Sequence, residues 1–433
     1  MSPTTSDVIV IGSGVIGASV AYELARDGWS VTVVDREAGP GQGSTSASTA
    51  VVRFNYGTWT GVVAAWEAKH LWEDWPTHLE APNTDGLARF YRTGGLVFDS
   101  PEQDRHKVLG FFDRAGMPYE VWDAATTRQR AVHIDPARYY PPKPVADDAF
   151  WAPADGELTA YWMPDAGFVD DPALAAHNLM TAARRKGATF RFRATVTAVH
   201  RTQDRVTGVE LADGSRIAAP VVVNVTGPHS GQVNTMAGVL GDFSVRTAPL
   251  RQEVHEIPAP KDTATPAPLL NDLDLGTYSR GTPSGQILVG GTEAKCDPLH
   301  WLDDPDDYAR AVTADLYETQ TYRLARRMSE LRVPNTPRGV VGIYDVSDDW
   351  VPIYDRTALP GFYVAIGTSG NQFKNAPVAG RFLAEIIKAC ENGHDHDADP
   401  VQVTMTSTGL TADMGHYSRR REVNRESSFT VMG

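Results

Sequence analysis

The chain has 433 residues, of which 42% are hydrophobic and 22% charged, with a formal net charge of −14. That length admits two or three domains, and the acidic balance excludes nucleic acid and anionic membrane surfaces as partners. No run approaches the roughly 20 apolar residues of a membrane span, no secretory leader is apparent, and the cysteines Cys296 and Cys390 are far apart, which together predict free thiols in the cytoplasm.

Taken in chain order, the apolar run Val8 to Ile11 predicts a strand. Gly12, Gly14 and Gly17 follow it in a G-x-G-x-x-G spacing, with Val15 and Ile16 between them. Gly12 permits a tight turn, Gly14 lets the backbone approach a pyrophosphate, and Gly17 lets a helix pack close to the strand. The helix that starts there points free N–H groups at the phosphates. Val20, Ala21, Leu24 and Ala25 share one of its faces, and Gly28 stops it. A second strand, Val31 to Val34, ends at Asp35, followed by Arg36. An acid there accepts hydrogen bonds from ribose hydroxyls and disfavours a 2′-phosphate. These pieces describe a dinucleotide site open to either NAD or FAD.

The segment Gly39 to Tyr56 is rich in small and hydroxyl residues, which suits close approach of backbone to a ligand. Tyr91 to Phe98 reads as a strand with a bulge at Gly94-Gly95. A helix is expected over Asp171–Lys186, capped by Asp170 or Asp171, with Pro172 in its first turn and Gly187 beyond it. Strands are expected at Thr195–His200 and Val206–Leu211, with a turn at Asp213-Gly214. Pro220 to Gly227 is apolar on both faces, as a buried parallel strand is. Arg246 to Gly291 reads as antiparallel β-structure with turns at Gly276 and Gly281 to Gly285. Gly361 to Gly370 predicts a last strand and turn, leading to a helix that ends near Cys390. The tail from about Asp395, with Arg419, Arg420 and Arg421, reads as an extension without chemistry. His229, His255 and His300 have no ligand spacing, so no metal is expected.

Several pieces in order resemble a known family. They are Gly12-Ser-Gly-Val-Ile-Gly17 with Asp35, and Gly43-Ser-Thr-Ser-Ala-Ser48 with Arg53 and Tyr56-Gly57. Further on come Val222 to Gly227, then Gly342 to Asp349 with Pro352, and Gly367 to Pro377. Together they resemble the FAD-dependent amine oxidoreductases of the D-amino-acid oxidase superfamily, and most of all the branch of sarcosine oxidase and the sarcosine oxidase beta subunit. The resemblance implies a mixed α/β fold, a Rossmann-like FAD-binding domain with an inserted antiparallel β-rich substrate domain. The expected boundaries are 1–86, 160–235 and 338–398 for the FAD-binding domain, 87–159 and 236–337 for the substrate domain, and 399–433 for an extension.

The resemblance also implies residue roles. Gly12, Gly14, Val15, Ile16, Gly17, Asp35 and Arg36 fall at the ADP end of the cofactor. Gly43, Ser44, Thr45, Ser46, Ala47, Val196, Thr226 and Gly227 fall along it. Gly342, Gly367, Gly370, Asn371, Gln372, Phe373 and Lys374 belong to its flavin end, where a helix starting near Gly370 would aim its positive end. Arg53 and Lys374 are expected to hold a substrate carboxylate, with Tyr278 closing the pocket. Relatives attach FAD through a cysteine at the position of Gly342 or a histidine within Ser44 to Val52. Neither is present here, so FAD is expected to be non-covalent. The strand Gly285 to Gly290 lacks the lysine that promotes oxygen reduction, which favours a dehydrogenase over a fast oxidase. Asn371-Gln372 replaces the family's His-Gly.

The implied reaction is oxidation of the C–N bond of a small secondary or N-methyl amino acid, sarcosine-like, to an imine, with hydride transfer to flavin N5. The alternatives are a D-amino-acid or cyclic imino-acid oxidase or dehydrogenase, a flavin subunit of a larger complex, and an NAD-dependent dehydrogenase. The expected partner is a small-molecule amine or amino acid, with a homo-oligomer or flavoprotein complex as a further possibility.

Overall fold

In the computed structural model, which describes residues 4–82 and 86–433, the strand Val8–Ile11 lies between Val31–Val34 and Val221–Asn224, parallel to both. The full sheet runs Thr189–Arg191, Val31–Val34, Val8–Ile11, Val221–Asn224, Phe362–Ile366 and Ile353–Arg356, the last pair antiparallel. Side-chain alternation explains why these strands are apolar throughout. Val8, Val10, Val31, Val33, Val221 and Val223 pack into a helical layer. Ile9, Ile11, Val34, Val222 and Val364 pack on the other face, against Val206, Val209, Leu211 and Ile217 of a smaller sheet.

The helix Val15–Arg26 lies in the helical layer between Pro172–Arg185 and Ala376–Glu391. It is therefore buried from Val15 to Ala25, well beyond the face drawn by Val20, Ala21, Leu24 and Ala25. The helix Pro172–Arg185 begins as expected: the Asp171 carboxylate accepts from the Leu174 N–H at 2.8 Å, and Pro172 opens the first turn.

A second, larger sheet of nine strands covers the open end of the first. Its long strand Thr247–Pro258 pairs antiparallel with Gly339–Ser347, Gln286–Gly291 and His300–Trp301. Thr277–Gly281, Leu269–Asp272, Gly95–Phe98, Ala160–Met163 and Glu120–Trp122 continue it. The helix Ala314–Arg327 packs Tyr317 and Leu324 on this sheet.

Four expectations change. Tyr91 to Phe98 is two strands rather than one with a bulge. Phe90–Arg92 pairs with Gly167–Val169 in a small sheet, whereas Gly95–Phe98 joins the large one. The break falls at Gly94, at φ +74°, where a Cβ would lie 2.0 Å from the Trp162 ring. Within the β-rich region, Leu269–Asp272 runs parallel to Gly95–Phe98. The last helix starts at Ala376, not near Gly370. Ser369 at φ +47° and Gly370 at φ +68° are left-handed, so the chain turns before Asn375 can cap a helix.

The tail is the fourth. Gln402–Thr404 and Thr411–Asp413 form a hairpin, and the Glu67 carboxylate accepts from the Ser407 and Thr408 N–H groups at 2.8 and 3.0 Å. Arg419 is fully buried and pairs with Asp242, with Asp355 at 2.9 Å and with Asp397 at 2.7 Å. Among the described residues no helix is long and apolar enough to cross a membrane. Removing the Arg419 guanidinium strands the buried Asp355 carboxylate, so Arg419→Ala is expected to cost about 3–5 kcal/mol of stability. Urea unfolding followed by circular dichroism measures this; an unchanged midpoint contradicts it.

Candidate functional site

The ends of the parallel strands and the large sheet enclose a cavity of about 500 Å³, within the range of cofactor pockets. The Gly12–Gly17 turn, Asp35 and Arg36 line one end. The turn is fixed by close approach: a Cβ on Gly12, at φ +103°, would lie 2.5 Å from the Val225 carbonyl oxygen, and one on Gly17 would lie 2.1 Å from that of Gly12. Asp35 helps to hold it, because its Oδ2 accepts from the Ser13 N–H at 2.7 Å and the Ser13 hydroxyl at 2.6 Å. Thr45 accepts from the Val15 N–H at 3.0 Å, which ties the small-residue loop to the helix start.

Gly43 to Ala47, Val196, Thr226 and Gly227 also line this cavity. Its far end holds Gly342, Tyr344, Tyr278, Gly370, Gln372 and Phe373. A Cβ on Gly342 would lie 2.9 Å from that of Ala47, so the two segments meet closely there. Gly367 lines neither cavity; its N–H donates to Asp345 Oδ2 at 2.7 Å. The loop Pro305 to Arg310, unforeseen in the sequence, also faces the cavity. Its Asp306 takes both terminal nitrogens of Arg36 at 2.8 and 2.6 Å, and His229 Nε2 lies 3.1 Å away.

A second cavity, of about 40 Å³, adjoins the first and shares Tyr278, Gly370 and Phe373 with it. Arg53, Lys374, Asn371 and Tyr278 line it, joined by Thr49, Asn271, Val431 and Met432. Arg53 is 4% exposed and Lys374 3%. Both lie over the Tyr56 ring, at 5.1 and 4.9 Å from its centroid. Arg53 donates to the Asn55 carbonyl at 3.2 Å, to Asn55 Oδ1 at 3.3 Å and to the Val431 carbonyl at 2.7 Å. Lys374 Nζ donates to the Asn371 carbonyl at 2.5 Å. Neither cation has an acidic partner among the described residues.

Burial lowers the pKa of Arg53. It holds that of Lys374 well below the ordinary 10.5, and the Arg53 charge adds to the effect. Burial also pushes the Tyr56 phenol up to about 12 and raises Tyr278, so both rings stay neutral. Lys374 sits in the turn before the last helix rather than inside it. Trp72 Nε1 donates to the Lys374 carbonyl at 2.7 Å, the Tyr56 hydroxyl donates to the Asn371 carbonyl at 2.9 Å, and Phe373 stacks on Trp72 at 5.5 Å. Two buried cations held this firmly have the chemistry to bind a small anion, above all a carboxylate. No cluster of residues able to hold a metal ion occurs among the described residues.

Sequence and structure comparisons bear on the family and the fold. The family model for FAD-dependent oxidoreductases, DAO, matches residues 7–386. D-Amino acid dehydrogenase of Methylobacterium radiotolerans is 25% identical, over 88% of this chain and 95% of that protein. Sarcosine oxidase subunit beta of Arthrobacter sp. is 24% identical, over 94% of this chain and 92% of that one. The fold is shared with L-proline dehydrogenase from P. horikoshii, at a TM-score of 0.73 and 22% identity, covering 91% of this chain and 95% of that one. It is shared too with glycine oxidase from Geobacillus kaustophilus, at 0.71 and 19% identity, covering 93% and 99%.

Lys374 attracts an anion only as an ammonium, whose charge is lost as pH rises through its lowered pKa. Affinity for a small carboxylate, measured by calorimetry, is therefore expected to fall at a pH well short of the ordinary 10.5 of lysine. In Lys374→Met that fall should vanish; its persistence would assign it to another group.

Proposed function

The chain belongs to the DAO family of FAD-dependent oxidoreductases, and we propose that it oxidises the carbon–nitrogen bond of a small amino acid to an imine, a sarcosine-like secondary or N-methyl amino acid being the preferred class. The observation that carries this reading is the pair of buried cations, Arg53 and Lys374, without an acidic partner and beside the cofactor-sized cavity.

The residues present fit FAD. The Gly12–Gly17 turn, where a Cβ on Gly12 or Gly17 would meet backbone, lines one end of the cavity at the start of the helix Val15–Arg26, where a diphosphate would bind, and Asp35 lines the same end. Gly43 to Ala47, Val196, Thr226 and Gly227 would hold its middle, and Gly342, Gly370, Gln372 and Phe373 its far end. Bound FAD supplies the two-electron oxidising capacity. The chain supplies position: Arg53 and Lys374 fix the carboxylate, while Tyr278 and Phe373, which line both cavities, would border the place where substrate and cofactor meet. Oxidation proceeds from the neutral amine, so the ammonium proton of a free amino acid leaves to water before the step. The relatives include a D-amino acid dehydrogenase and a sarcosine oxidase subunit beta, which supports an amino acid as the substrate.

Gln286–Gly291, which pairs with the Tyr278 strand, contains no lysine. That observation favours a dehydrogenase over a fast oxidase.

Arg53→Ala and Lys374→Ala are each expected to lower kcat/KM for carboxylate substrates by roughly 2–5 kcal/mol. Unchanged steady-state kinetics in both would remove the carboxylate clamp. Position 342 is a glycine and residues 44–52 hold no histidine, so unfolding in guanidinium should release all the flavin through a desalting membrane; yellow colour retained on the unfolded chain would show a covalent link.

A further inference from the structure

The residues that hold Arg53 include one from the far end of the chain. Val431 accepts a hydrogen bond from Arg53 Nη2 through its carbonyl oxygen, at 2.7 Å. Its own N–H donates to Glu293 Oε2, also at 2.7 Å. One residue thus offers its nitrogen to a carboxyl group and its carbonyl oxygen to a guanidinium. Those are the two ends of an α-amino acid, at the spacing of an α-amino acid.

Glu293 is built into place. Gln252 Nε2 donates to its other oxygen at 3.0 Å, and its backbone is left-handed, at φ +51°, a conformation found disproportionately at functional sites. It has no cationic partner among the described residues, and burial pushes its carboxyl up to about 8. Val431 and Met432 are 8% and 1% exposed and line the second cavity together with Arg53, Lys374 and Tyr278. What is left of that cavity, about 40 Å³, holds about three waters, fewer heavy atoms than any amino acid carries.

We infer that the segment Thr430–Met432 is an internal pseudosubstrate, seated where an α-amino acid binds, with Arg53 as the carboxylate contact and Glu293 as the amine contact that it must vacate. The inference rests on the carboxylate-clamp reading of Arg53 and Lys374, and deepens it. It assigns the substrate class as α-amino rather than longer amino carboxylates, because one residue spans both contacts. The segment is anchored upstream. Arg421 binds Asp349 at 3.0 and 2.8 Å and also the Val351 and Pro352 carbonyls, and the Asn424 N–H donates to Asp349 at 3.1 Å. Departure of residues 429–433 therefore leaves the rest of the tail docked.

The test uses three FAD-loaded proteins: the full chain, a chain shortened after Ser428, and full-length Val431→Pro, which lacks the N–H that Glu293 accepts. Each is titrated with acetate while the flavin absorption spectrum is followed. A seated segment raises the apparent Kd by the inverse of the open fraction. The shortened chain should therefore bind acetate at least about tenfold more tightly, with Val431→Pro between the two, and the peptide Phe-Thr-Val-Met-Gly should compete with acetate on the shortened chain. If the shortened chain loses its flavin, Val431→Pro decides alone. Acetate affinity equal to or weaker than that of the full chain in both variants overturns the pseudosubstrate and leaves the clamp standing. No acetate-dependent spectral change in any of the three overturns the clamp, and the pseudosubstrate with it.

Discussion

Two positive charges buried beside one another, Arg53 and Lys374, have no negative charge to meet them among the described residues. Desolvation alone disfavours each cation, and their mutual repulsion adds to the cost. The fold offsets that cost with dipoles and rings. The Asn55, Asn371 and Val431 carbonyls accept from the two side chains, and the Tyr56 ring lies under both. These partial charges steady the pair without neutralising it. The pair thus keeps an unspent attraction for an anion.

The two sheets divide the labour. The parallel sheet, apolar on both faces and wedged between a helical layer and a smaller sheet, fixes the glycine turn and Asp35 at the ends of its strands. The large sheet brings Tyr278, Gly342 and Glu293 toward that edge from separate parts of the chain. The turn that carries Gln372 to Lys374 joins the two: it follows the strand Phe362–Ile366 of the first sheet and is held by Trp72 and Tyr56 from the helical side. Backbone anchoring and the Asn371 carbonyl, which accepts from its ammonium, together hold Lys374 at the second cavity.

The parts legible in the sequence were those set by local geometry. The Gly12–Gly17 spacing reports a turn whose crowding involves Val225, and whatever lies across from it, only glycine fits. Val206–Leu211 is marked by its valines and the Asp213-Gly214 turn after it, and Val221–Asn224 by an apolar run after Pro220. Arg53 and Lys374 carry no local signal of pairing; resemblance to a family pointed to them, and the structure lines one cavity with both. Other features depend on contacts that no window of sequence contains. The delay of the last helix to Ala376 follows from left-handed Ser369 and Gly370. The break at Gly94 follows from the Trp162 ring. The tail looked inert because its arginines find Asp242, Asp349, Asp355 and Asp397 only after folding. The reach of Val431 to Arg53 spans nearly the whole chain.

If the uncompensated cations govern recognition, the carboxylate of the substrate matters more than the rest of its shape. The direct measurement is anaerobic stopped-flow reduction of the bound flavin by N-methylglycine and by its amide, which differ only in that charge. The account predicts saturable reduction by the acid and at least about a hundredfold lower second-order rate constant for the amide, the loss expected when a buried charge pair goes unmade. Equal rate constants for the two compounds would contradict it.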